Sequence, residues 1–598
     1  MCGFAGFVNL QGAPAEARVI EAMTRSVAHR GPDDSGQLLW SLRQGTLSGC
    51  APHLPDSGIG VHRLKILDLT DAGRQPMVSP SAAVIVALNG EVYNAFDYRA
   101  ELEAAGRRLR SRTDTEIVLH LYERYGIDGV LERLNGMFAL AIADLHRHEL
   151  HLARDHFGIK PLYWTRAGAT LLFASEAKAF LAHPAFVAAI DEQHVDEQLA
   201  FRYVAGDASL LKGVHQVRPG CRVTVTPHGA SVTRYSSIAD PSDRATLTPD
   251  EAVEQLGALL RRSVSSQLAS DVAVGCQLSG GIDSSLVTVL ASQQAGTRVE
   301  AYSVVFDEPQ FNEEPWIAEA SEIAGVVAHR ARLSADTFIA PLEHATWHMD
   351  QPISHPNAVG LWQLAAQARP RARVLLTGEG ADEVFAGYAR FADARFPTAE
   401  TFVRATQFQP DAKLARLRPE ADLTAAVARR IAIFNEGTGD HLSNCIRYEM
   451  QTFLVDVLMR QDKMNMAHGI ENRVPFLDRR VVAFARTLPA ALLVGGRAKA
   501  IVKALAGRTF SEAFVNRRKF AFNLPLSQYF RSQPFTELME DQLLPGMKRR
   551  GMVSEPAARE LWRRSLSAPA LTEVAWIPVA FELWAQQFVD GRRSQASA

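Results

Sequence analysis

Two short stretches of the sequence carry side chains that suit phosphate chemistry and build no core. Residues 278–285 read LSGGIDSS and residues 377–388 read TGEGADEVFAGY, each directly after a short apolar run. Gly280 and Gly281 allow the backbone to approach a ligand closely, and the start of a following helix presents free N–H groups to an anion. The alternative is an ordinary serine-capped helix start. The complete SGGxDS pattern favours a pyrophosphate site formed by Ser279, Gly280, Gly281, Ser284 and Ser285.

The first stretch differs from the common phosphate-binding loops. It has neither the lysine of GxxxxGK[ST] nor the spacing of GxGxxG. A site that holds pyrophosphate through backbone groups suits attack at an α-phosphorus, with pyrophosphate as the leaving group. The sequence therefore predicts a nucleotide substrate that is cleaved at this position.

Carboxylates in both stretches indicate a cation. Asp283 would repel phosphate unless a cation lay between them, so we assign it to Mg²⁺, with Asp382 as the second ligand. Glu379 is then a candidate proton acceptor or orienting group near the acceptor. The alternative is that these acids only stabilise helix N-termini.

A cationic side chain is also needed for the charge that develops on the phosphates. The candidates lie in two basic segments: Lys499, Lys503, Arg517, Arg518 and Lys519. Most lysines are solvated surface residues, so position alone does not choose among them.

Cys2 is a candidate nucleophile of a second site. If Met1 is removed, the α-amino group of Cys2 can act as the base that activates its own thiol. Asn89 and Gly90 offer an amide and a backbone N–H for an oxyanion, Arg63 suits a carboxylate, and Asp114 suits an ammonium group. The alternative for Cys2 alone is an inert buried cysteine. Together these residues predict a glutamine site.

The pattern of predicted strands and helices that must position these residues changes along the chain. Short apolar or alternating runs before residue 236 predict antiparallel strands, with helical spacing at 16–27 and 115–125. After residue 251, strand–helix alternation predicts a parallel, doubly wound sheet, with a mostly helical region beyond residue 387. The resulting α/β division is a first domain at 1–235, a linker at 236–251 and a second domain at 252–598. The last residues, GRRSQASA, are expected to be frayed.

Composition limits the functional classes. The 598 residues carry 64 basic and 66 acidic side chains, a balance that gives no general attraction to nucleic acid or to anionic membranes. Five scattered cysteines without CxxC spacing argue against disulfides or zinc, and no apolar run reaches the roughly 20 residues that span a bilayer. We expect a cytoplasmic protein. The sequence leaves its oligomeric state open, with a homodimer as one alternative.

The chain closely resembles the glutamine-dependent asparagine synthetase family over nearly its whole length. The likeness is specific because two unrelated catalytic modules occur in the expected order. The motifs that carry it are MCGFAG, HRGPDD, HRLKILDL, NGEVYN, RDHFGIKPLYW, LSGGIDSS, GEGADEVFAGY and RQDKMNMAHGIENRVPFLD. The resemblance implies an N-terminal αββα Ntn-hydrolase sandwich joined to an adenine-nucleotide α-hydrolase domain.

The resemblance also implies roles for individual residues. Cys2 would be the nucleophile, and Asn89 and Gly90 the oxyanion hole. The glutamine-binding residues would be Arg63, Leu64, Lys65, Ile66, Leu67, Glu91 and Asp114. The ATP-binding residues would include Leu278, Val304, Thr377 and Gly378. Asp283 and Asp382 would hold Mg²⁺, Glu379 would take part in forming an acyl-AMP, and Lys519 is preferred over Lys499 and Lys503 because the family's lysine lies in a basic R-x-K segment. Ammonia would pass through an internal tunnel to the acyl-AMP.

One departure affects the expected acceptor. Where the family often has DEPxxDPS, this chain reads DQPISHPNA at 350–358, with His355 and Asn357 in place of acidic or serine positions. Aspartate is the leading acceptor, and a sugar acid or another carboxylate is the alternative. Two further alternatives are a non-catalytic binding module, against which the intact motifs argue, and a β-lactam synthetase-like cyclase, against which Cys2 argues.

Overall fold

The N-terminal half of the computed structural model consists of two antiparallel β-sheets with helices on their outer faces. The structure describes residues 2–48, 54–236, 246–517 and 524–592. The strands of this half are β1 (Cys2–Asn9), β2 (Asp34–Ser41), β3 (Thr46–Leu47), β4 (Ser57–Arg63), β5 (Met77–Val78), β6 (Val84–Val92), β7 (Gly136–Asp144), β8 (Glu149–Arg154), β9 (Tyr163–Ala167), β10 (Thr170–Ala174), β11 (Val214–Gln216), β12 (Cys221–Thr226) and β13 (Gly229–Arg234). Its helices are α1 (Ala17–Arg25), α2 (Arg99–Ala104), α3 (Asp114–Arg133) and α4 (Val195–Phe201).

The two sheets pack face to face. One has the strand order β11-β9-β10-β1-β4-β2-β3 and the other β13-β12-β8-β7-β6-β5. Phe4 and Trp40 from the first sheet and Ile85 and Leu152 from the second belong to one buried cluster between them. Helix α1 covers the outer face of the first sheet and α3 that of the second. The predicted αββα sandwich is therefore confirmed.

Both helices predicted in this half are present. The predicted helix at 16–27 corresponds to α1. The predicted helix at 115–125 is the first part of α3, which is interrupted at Gly126 by a positive φ of 66°. Glycine adopts a positive φ without a steric penalty. The backbone therefore leaves the helical conformation at Gly126, one residue after the end of the predicted helix.

The C-terminal half is built on a five-stranded parallel sheet and many helices. Its strands are β14 (Val274–Gln277), β15 (Glu300–Val305), β16 (Val327–Arg332), β17 (Val374–Leu376) and β18 (Glu471–Arg473). Its helices are α5 (Pro249–Gln267), α6 (Ile282–Gln294), α7 (Glu314–Ala324), α8 (Ala335–Ile339), α9 (Leu342–Met349), α10 (Ala358–Ala368), α11 (Ala381–Val384), α12 (Ala399–Ala405), α13 (Asp411–Leu417), α14 (Thr424–Phe434), α15 (His441–Gln451), α16 (Phe453–Met466), α17 (Arg479–Thr487), α18 (Ala490–Val494), α19 (Ala500–Ala506), α20 (Glu512–Asn516), α21 (Leu526–Tyr529), α22 (Gln533–Glu537), α23 (Leu544–Arg550), α24 (Glu555–Ser567) and α25 (Thr572–Phe588).

The parallel sheet has helices on both faces. Its order is β16-β15-β14-β17-β18. Tyr302 and Leu375 pack in one cluster with α10, whereas their neighbours Ala301 and Leu376 belong to the cluster that contains α6. This alternation confirms the predicted doubly wound sheet.

Strand β18 was not predicted, because the region beyond residue 387 was expected to be helical. It pairs in parallel with β17, with Val374 opposite Glu471. Its sequence, Glu471–Asn472–Arg473, has no apolar alternation. Glu471 and Arg473 are fully buried because their side chains neutralise each other, with Nε and Oε1 2.6 Å apart.

The region between the two halves is only partly described. Residues 237–245 of the predicted linker lie outside the described residues. Helix α5 begins at Pro249, where Thr248 and Glu251 form a reciprocal capping box. The predicted fraying of GRRSQASA concerns residues that lie, from 593 onward, outside the described ranges. Of the helices in the described ranges, none is both long enough and apolar enough to cross a bilayer.

Candidate active sites

Cys2 begins the first strand of the sandwich and lies beside Asn89. Strand β1 pairs with β4 so that Cys2 is opposite Arg63. The backbone N–H of Cys2 donates to Oδ1 of Asn89 at 3.4 Å, across the two sheets. Nε2 of Gln75, which the sequence analysis did not single out, lies 3.5 Å from Sγ of Cys2. The predicted nucleophile and the predicted oxyanion residue are thus neighbours.

The environment of Cys2 favours the neutral thiol. The residue is 3% exposed, and burial raises the pKa of its thiol, with the positive charge of Arg63 acting in the opposite direction. A buried thiol of raised pKa needs a base before it can attack. The predicted base, the α-amino group of Cys2 itself, depends on removal of Met1, which lies outside the described residues.

Asn89 and Gly90 lie on β6, where the two sheets face each other. The Asn89 side chain is fully buried, and its Nδ2 is a donor without a hydrogen-bond partner among the described residues. At Gly90 a Cβ atom would overlap the carbonyl oxygen of Met137. This position therefore has space for glycine only.

Two buried carboxylates lie near the end of this strand, Glu91 on β6 itself and Asp114 on α3. Asp114 starts α3 and accepts a hydrogen bond at 2.8 Å from the N–H of Val92. Burial raises the pKa of Glu91 and of Asp114, and the negative charge of Asp114 raises the pKa of Glu91 further. Arg473 from the second half lies 3.5 Å from Glu91 and partly offsets this effect. A bound ammonium group would relieve the repulsion between the two acids.

Arg63 fixes the loop that follows β4. Its guanidinium donates to the carbonyls of Leu67 at 3.0 Å, Asp68 at 2.6 Å and Thr70 at 3.0 Å. These bonds shape the segment 64–70 beside Cys2. In that segment Leu64 and Ile66 are buried, while Nζ of Lys65 pairs with Asp71 at 3.3 Å. The assignment of Arg63–Leu67 to glutamine binding stays a prediction.

A cavity of about 400 Å³ lies at the carboxyl ends of β14, β15 and β17. The predicted ATP-binding, metal-binding and acidic catalytic residues that line it are Leu278, Ser279, Gly281, Asp283, Ser284, Val304, Thr377, Gly378, Glu379 and Asp382, and the basic candidates that line it are Lys499, Lys503 and Arg517. Two predicted ATP-binding residues do not line it. The carbonyl of Gly280 accepts a hydrogen bond from Arg517, and the side chain of Ser285 is buried.

Hydrogen bonds among Ser279, Gly281 and Ser284 close the serine–glycine loop into a turn, called the cradle below, whose assignment to pyrophosphate stays a prediction. Oγ of Ser279 lies 3.0 Å from Oγ of Ser284 and accepts a hydrogen bond from the N–H of Gly281 at 3.2 Å. Gly280 has a φ of +78°, which favours glycine. The loop after β17 approaches so closely that a Cβ on Gly378 would lie 2.5 Å from the backbone N of Ser284. The two sequence-predicted stretches therefore meet at the N-terminus of α6.

Lys499 joins the two carboxylates that were assigned to a cation. Its Nζ lies 2.5 Å from Oδ2 of Asp283 and 2.9 Å from Oδ1 of Asp382. Although burial opposes it, the two carboxylates raise the pKa of Lys499 above its ordinary value. The preferred lysine, Lys519, lies outside the described residues, as does Arg518. Among the five basic candidates, Lys499 is thus the one whose contact with both carboxylates the structure describes.

The residues of the cavity fit a divalent cation. Oδ1 of Asp283 is buried and has no hydrogen-bond partner among the described residues. The cavity wall carries three cationic side chains, Lys499, Lys503 and Arg517, against four acidic ones, Asp283, Glu313, Glu379 and Asp382. A triphosphate would add negative charge that this wall does not neutralise. Within the described ranges no cluster of three His, Cys, Asp or Glu ligands occurs. Two carboxylates completed by phosphate and water are a usual Mg²⁺ arrangement.

Glu379 is held by a residue that the sequence analysis did not single out. Nε2 of Gln461, on α16, donates to Oε1 of Glu379 at 2.8 Å, and both residues line the cavity. Gln461 belongs to the quoted motif RQDKMN, to which no role had been given. The motif was the available signal, but it did not indicate which side chain faces the cavity.

The unusual segment DQPISHPNA lies away from the cavity wall. His355 is 3.1 Å from Arg202 through Nδ1 and 3.7 Å from Asp456 through Nε2. Oδ1 of Asn357 accepts a hydrogen bond from Arg460 at 2.9 Å. Neither His355 nor Asn357 is among the residues that line the cavity. In this structure the two replacements belong to a partly buried polar network beside α16.

A thiol site in an αββα sandwich and a nucleotide-type cavity in a doubly wound sheet define a glutamine amidotransferase joined to an ATP-dependent ligase. Comparison with known proteins agrees with this class. Residues 1–236 match the family model described as a glutamine amidotransferase domain, and residues 255–586 match the model described as asparagine synthase. The chain belongs to the asparagine synthase family, whose members are ATP-dependent, glutamine-hydrolysing ligases.

Curated relatives match most of the chain. Asparagine synthetase [glutamine-hydrolyzing] 1 of Bacillus subtilis is 29% identical over 89% of this chain and 88% of its own length. Asparagine synthetase [glutamine-hydrolyzing] 3 of the same organism is 31% identical over 82% of this chain and 81% of its own. A putative asparagine synthetase [glutamine-hydrolyzing] of Mycobacterium bovis is 29% identical over 99% and 98%.

Proposed function

We propose that this protein converts aspartate to asparagine, with ATP as the activating substrate and glutamine as the nitrogen donor. The observation that carries the proposal is that one chain brings Cys2 next to Asn89 and, at the other site, brings Asp283 and Asp382 to the same nitrogen atom beside the cradle. The names of the similar proteins support aspartate as the acceptor.

In the first half, Sγ of Cys2 attacks the side-chain amide of glutamine. The buried Nδ2 of Asn89, which lacks a partner among the described residues, donates to the oxyanion that forms. Glu91 and Asp114 hold the substrate ammonium group, which lowers the cost of keeping two carboxylates buried together. A thioester forms, ammonia leaves, and water then releases glutamate from Cys2.

In the second half, a carboxylate oxygen of the acceptor attacks the α-phosphorus of ATP. The bond from the α-phosphorus to the bridging oxygen breaks, and pyrophosphate leaves into the cradle of Ser279, Gly281 and Ser284. Lys499 neutralises charge on the phosphates, and Glu379, held by Gln461, faces the acceptor. Asp283 and Asp382 would hold Mg²⁺, which neutralises phosphate charge when bound. Ammonia then displaces AMP from the acyl carbon, and the amide product forms.

The apolar part of the cavity suits an adenine ring. Leu278, Val304 and Phe306 line it beside the cradle. The four cysteines in the described ranges are free thiols, which supports a reducing cytoplasm as the site of the reaction.

The test is an acceptor panel. Pyrophosphate release is measured with ATP, Mg²⁺ and ammonia, with aspartate compared with other amino acids and with uronic acids. We expect release that depends on aspartate, and asparagine as the product. Release with a uronic acid and none with aspartate would show that aspartate is not the acceptor, while the proposed activation of a carboxylate by ATP would stand. No release with any acceptor, together with no glutamate formation from glutamine, would overturn the proposal.

A further inference from the structure

One turn of α16, Arg460–Gln461–Asp462–Lys463, contacts both halves of the protein. We refer to these four residues as the RQDK turn. Gln461 reaches into the nucleotide cavity, where it binds Glu379. Asp462, the next residue, is 2% exposed and points to the N-terminal half, where Nζ of Lys160 donates to its Oδ1 at 3.1 Å. The function proposed above gives no role to Asp462.

Arg30 links Asp462 to the nucleophile. Its Nη2 lies 2.7 Å from Oδ2 of Asp462, and its Nε donates to the carbonyl of Cys2 at 3.3 Å. Its Nη1 donates to Glu176 at 2.7 Å. Arg30 is fully buried, so each of these partners is fixed by the packing around it. A single guanidinium therefore contacts the backbone of Cys2 and a carboxylate from the opposite half.

Gly3, which follows Cys2 on β1, has no side chain and so leaves space for Arg30. A Cβ atom on Gly3 would lie 3.0 Å from Cβ and Cδ of Arg30 and from the carbonyl oxygen of Val27. Arg30 thus lies directly against β1, one residue after the nucleophile. Any displacement of its side chain acts on the start of β1.

Loss of the Asp462 carboxylate would leave Arg30 only partly compensated. A buried charge that loses a partner cannot be rescued by water, so the side chain or its surroundings must move. Its hydrogen bond to the carbonyl of Cys2 would then be displaced as well. A small displacement of a nucleophile is expensive in rate because attack requires aligned reacting atoms.

We propose that Asp462 is a positioning residue for the glutaminase reaction and that the RQDK turn makes this reaction respond to the nucleotide cavity. The inference rests on the proposed function. Gln461 and Asp462 are consecutive residues of one helix, so a displacement of Gln461 by a ligand that contacts Glu379 would also move Asp462, the partner of Arg30. ATP and the acceptor then increase the rate of glutamine hydrolysis, and Asp462 is required for the increase.

The experiment measures glutamate release from glutamine with and without ATP, Mg²⁺ and aspartate. It compares the wild type with Asp462→Asn and with a matched control, Asp478→Asn. Asp478 is also buried between the two halves, where it accepts a hydrogen bond from Nδ2 of Asn135 at 3.1 Å, but within the described ranges the structure records no contact of Asp478 with Arg30, Cys2 or the RQDK turn. Pyrophosphate release with ammonia is measured in parallel as a reading of the second half.

For Asp462→Asn we expect glutaminase kcat to fall by about 10- to 100-fold, with the KM for glutamine unchanged and stimulation by ATP lost. Ammonia-driven pyrophosphate release stays. Asp478→Asn keeps both kcat and the stimulation. An equal loss in the two variants would show a general loosening of the interface and overturn the proposal, and so would wild-type behaviour of Asp462→Asn.

A second variant, Asp462→Glu, covers the case in which Asp462→Asn does not fold. If Asp462→Asn loses ammonia-driven activity and unfolds, Asp462→Glu takes its place, because it keeps the charge and moves it by one methylene. A folded Asp462→Glu with reduced glutaminase kcat supports the proposal, and one with unchanged kcat and stimulation overturns it. A wild type without glutaminase or synthetase activity would instead contradict the proposed function, so the two failures are distinguishable.

Discussion

Asp283 and Asp382, which follow different strands of the parallel sheet, contact the same nitrogen atom. Nζ of Lys499 lies within 3 Å of a carboxylate oxygen from each. The two acids are thus close enough to share one cation, as their assignment to a single metal site requires. Lys499 itself has φ +55°, a left-handed conformation that is uncommon for lysine, and it is 4% exposed. The contact is maintained by the fold rather than by local preference.

Replacement of Lys499 by methionine is expected to abolish pyrophosphate release and to leave glutamine hydrolysis in place. Without the ammonium group, Asp283 and Asp382 repel each other, so the variant is destabilised. Mg²⁺ should therefore raise the unfolding temperature of Lys499→Met more than that of the wild type. Pyrophosphate assays and thermal unfolding with and without Mg²⁺ check both points. Lys499→Arg, which keeps the charge, is the control, and an equal response to Mg²⁺ in the wild type and Lys499→Met would contradict the assignment.

Cys2→Ala is expected to eliminate glutamine-dependent amide formation and to preserve ammonia-dependent formation. The reason is that the thiol contributes to nitrogen release alone. Both rates are measured on the same preparation, with glutamine or ammonium chloride as donor. If the two activities vanish together while the protein stays folded, the assignment of separate sites is wrong.

Asn89→Ala is expected to lower glutaminase kcat by about 10²- to 10³-fold, the usual effect of removing one oxyanion donor. The KM for glutamine should change little, because the donor acts on the transition state. Steady-state glutamate release gives both constants. An Asn89 variant in which KM rises and kcat is retained would indicate a binding role instead.

Gly378→Ala is expected to impair nucleotide use. Its Cβ would lie 2.5 Å from the backbone N of Ser284 and 2.7 Å from the carbonyl carbon of Asp283, so the cradle must widen, at a cost of about 1–3 kcal/mol. The KM for ATP rises and glutaminase activity is retained. Gly296→Ala is the matched control, because a Cβ there meets no atom within 4 Å. Equal KM values for ATP in the two variants would refute the close-approach argument.

Asp456 should make stability depend on pH in the acidic range. Burial raises the pKa of Asp456 from 3.8 to about 6, against the opposing charge of Arg460. Between these values the folded state holds a proton that the unfolded state releases. The contribution of Asp456 is therefore complete below about pH 4 and is lost as the pH rises to 6, by on the order of 3 kcal/mol.

The measurement is denaturant unfolding of the wild type and Asp456→Asn from pH 4 to pH 7. As the pH rises, the unfolding free energy of the wild type should fall relative to that of Asp456→Asn, and the difference should become constant above pH 6. A difference that does not depend on pH would show that Asp456 has an ordinary pKa. Gln351 and His355, which contact this carboxylate, remain unchanged in the comparison.

The sequence by itself determined those features that depend on residues close together in the chain, such as turns and helix starts. Glycines at 280 and 281, serines around Asp283, and the apolar run before them specify a turn at a strand end, because backbone freedom and helix N-termini depend on neighbouring residues. The order of two catalytic modules indicated the family, which the family models confirm. The antiparallel strands of the first half and the doubly wound sheet of the second followed from short-range patterns, whereas the αββα sandwich was expected from the family resemblance.

Tertiary structure alone decided which distant side chains meet. The contact of Lys499 with Asp283 could not be predicted from the sequence, because every lysine offers the same charge and the approach to Asp283 is created by the start of α19. The preference for Lys519, which lies outside the described residues, stays a prediction. Strand β18 could not be predicted from the sequence either. Glu471 and Arg473 are charged residues, and their burial in a strand becomes possible only when the fold holds their opposite charges together. The contacts of Gln461 with Glu379 and of Arg30 with Asp462 likewise arise from the packing of one helix between two halves, and no local pattern encodes that position.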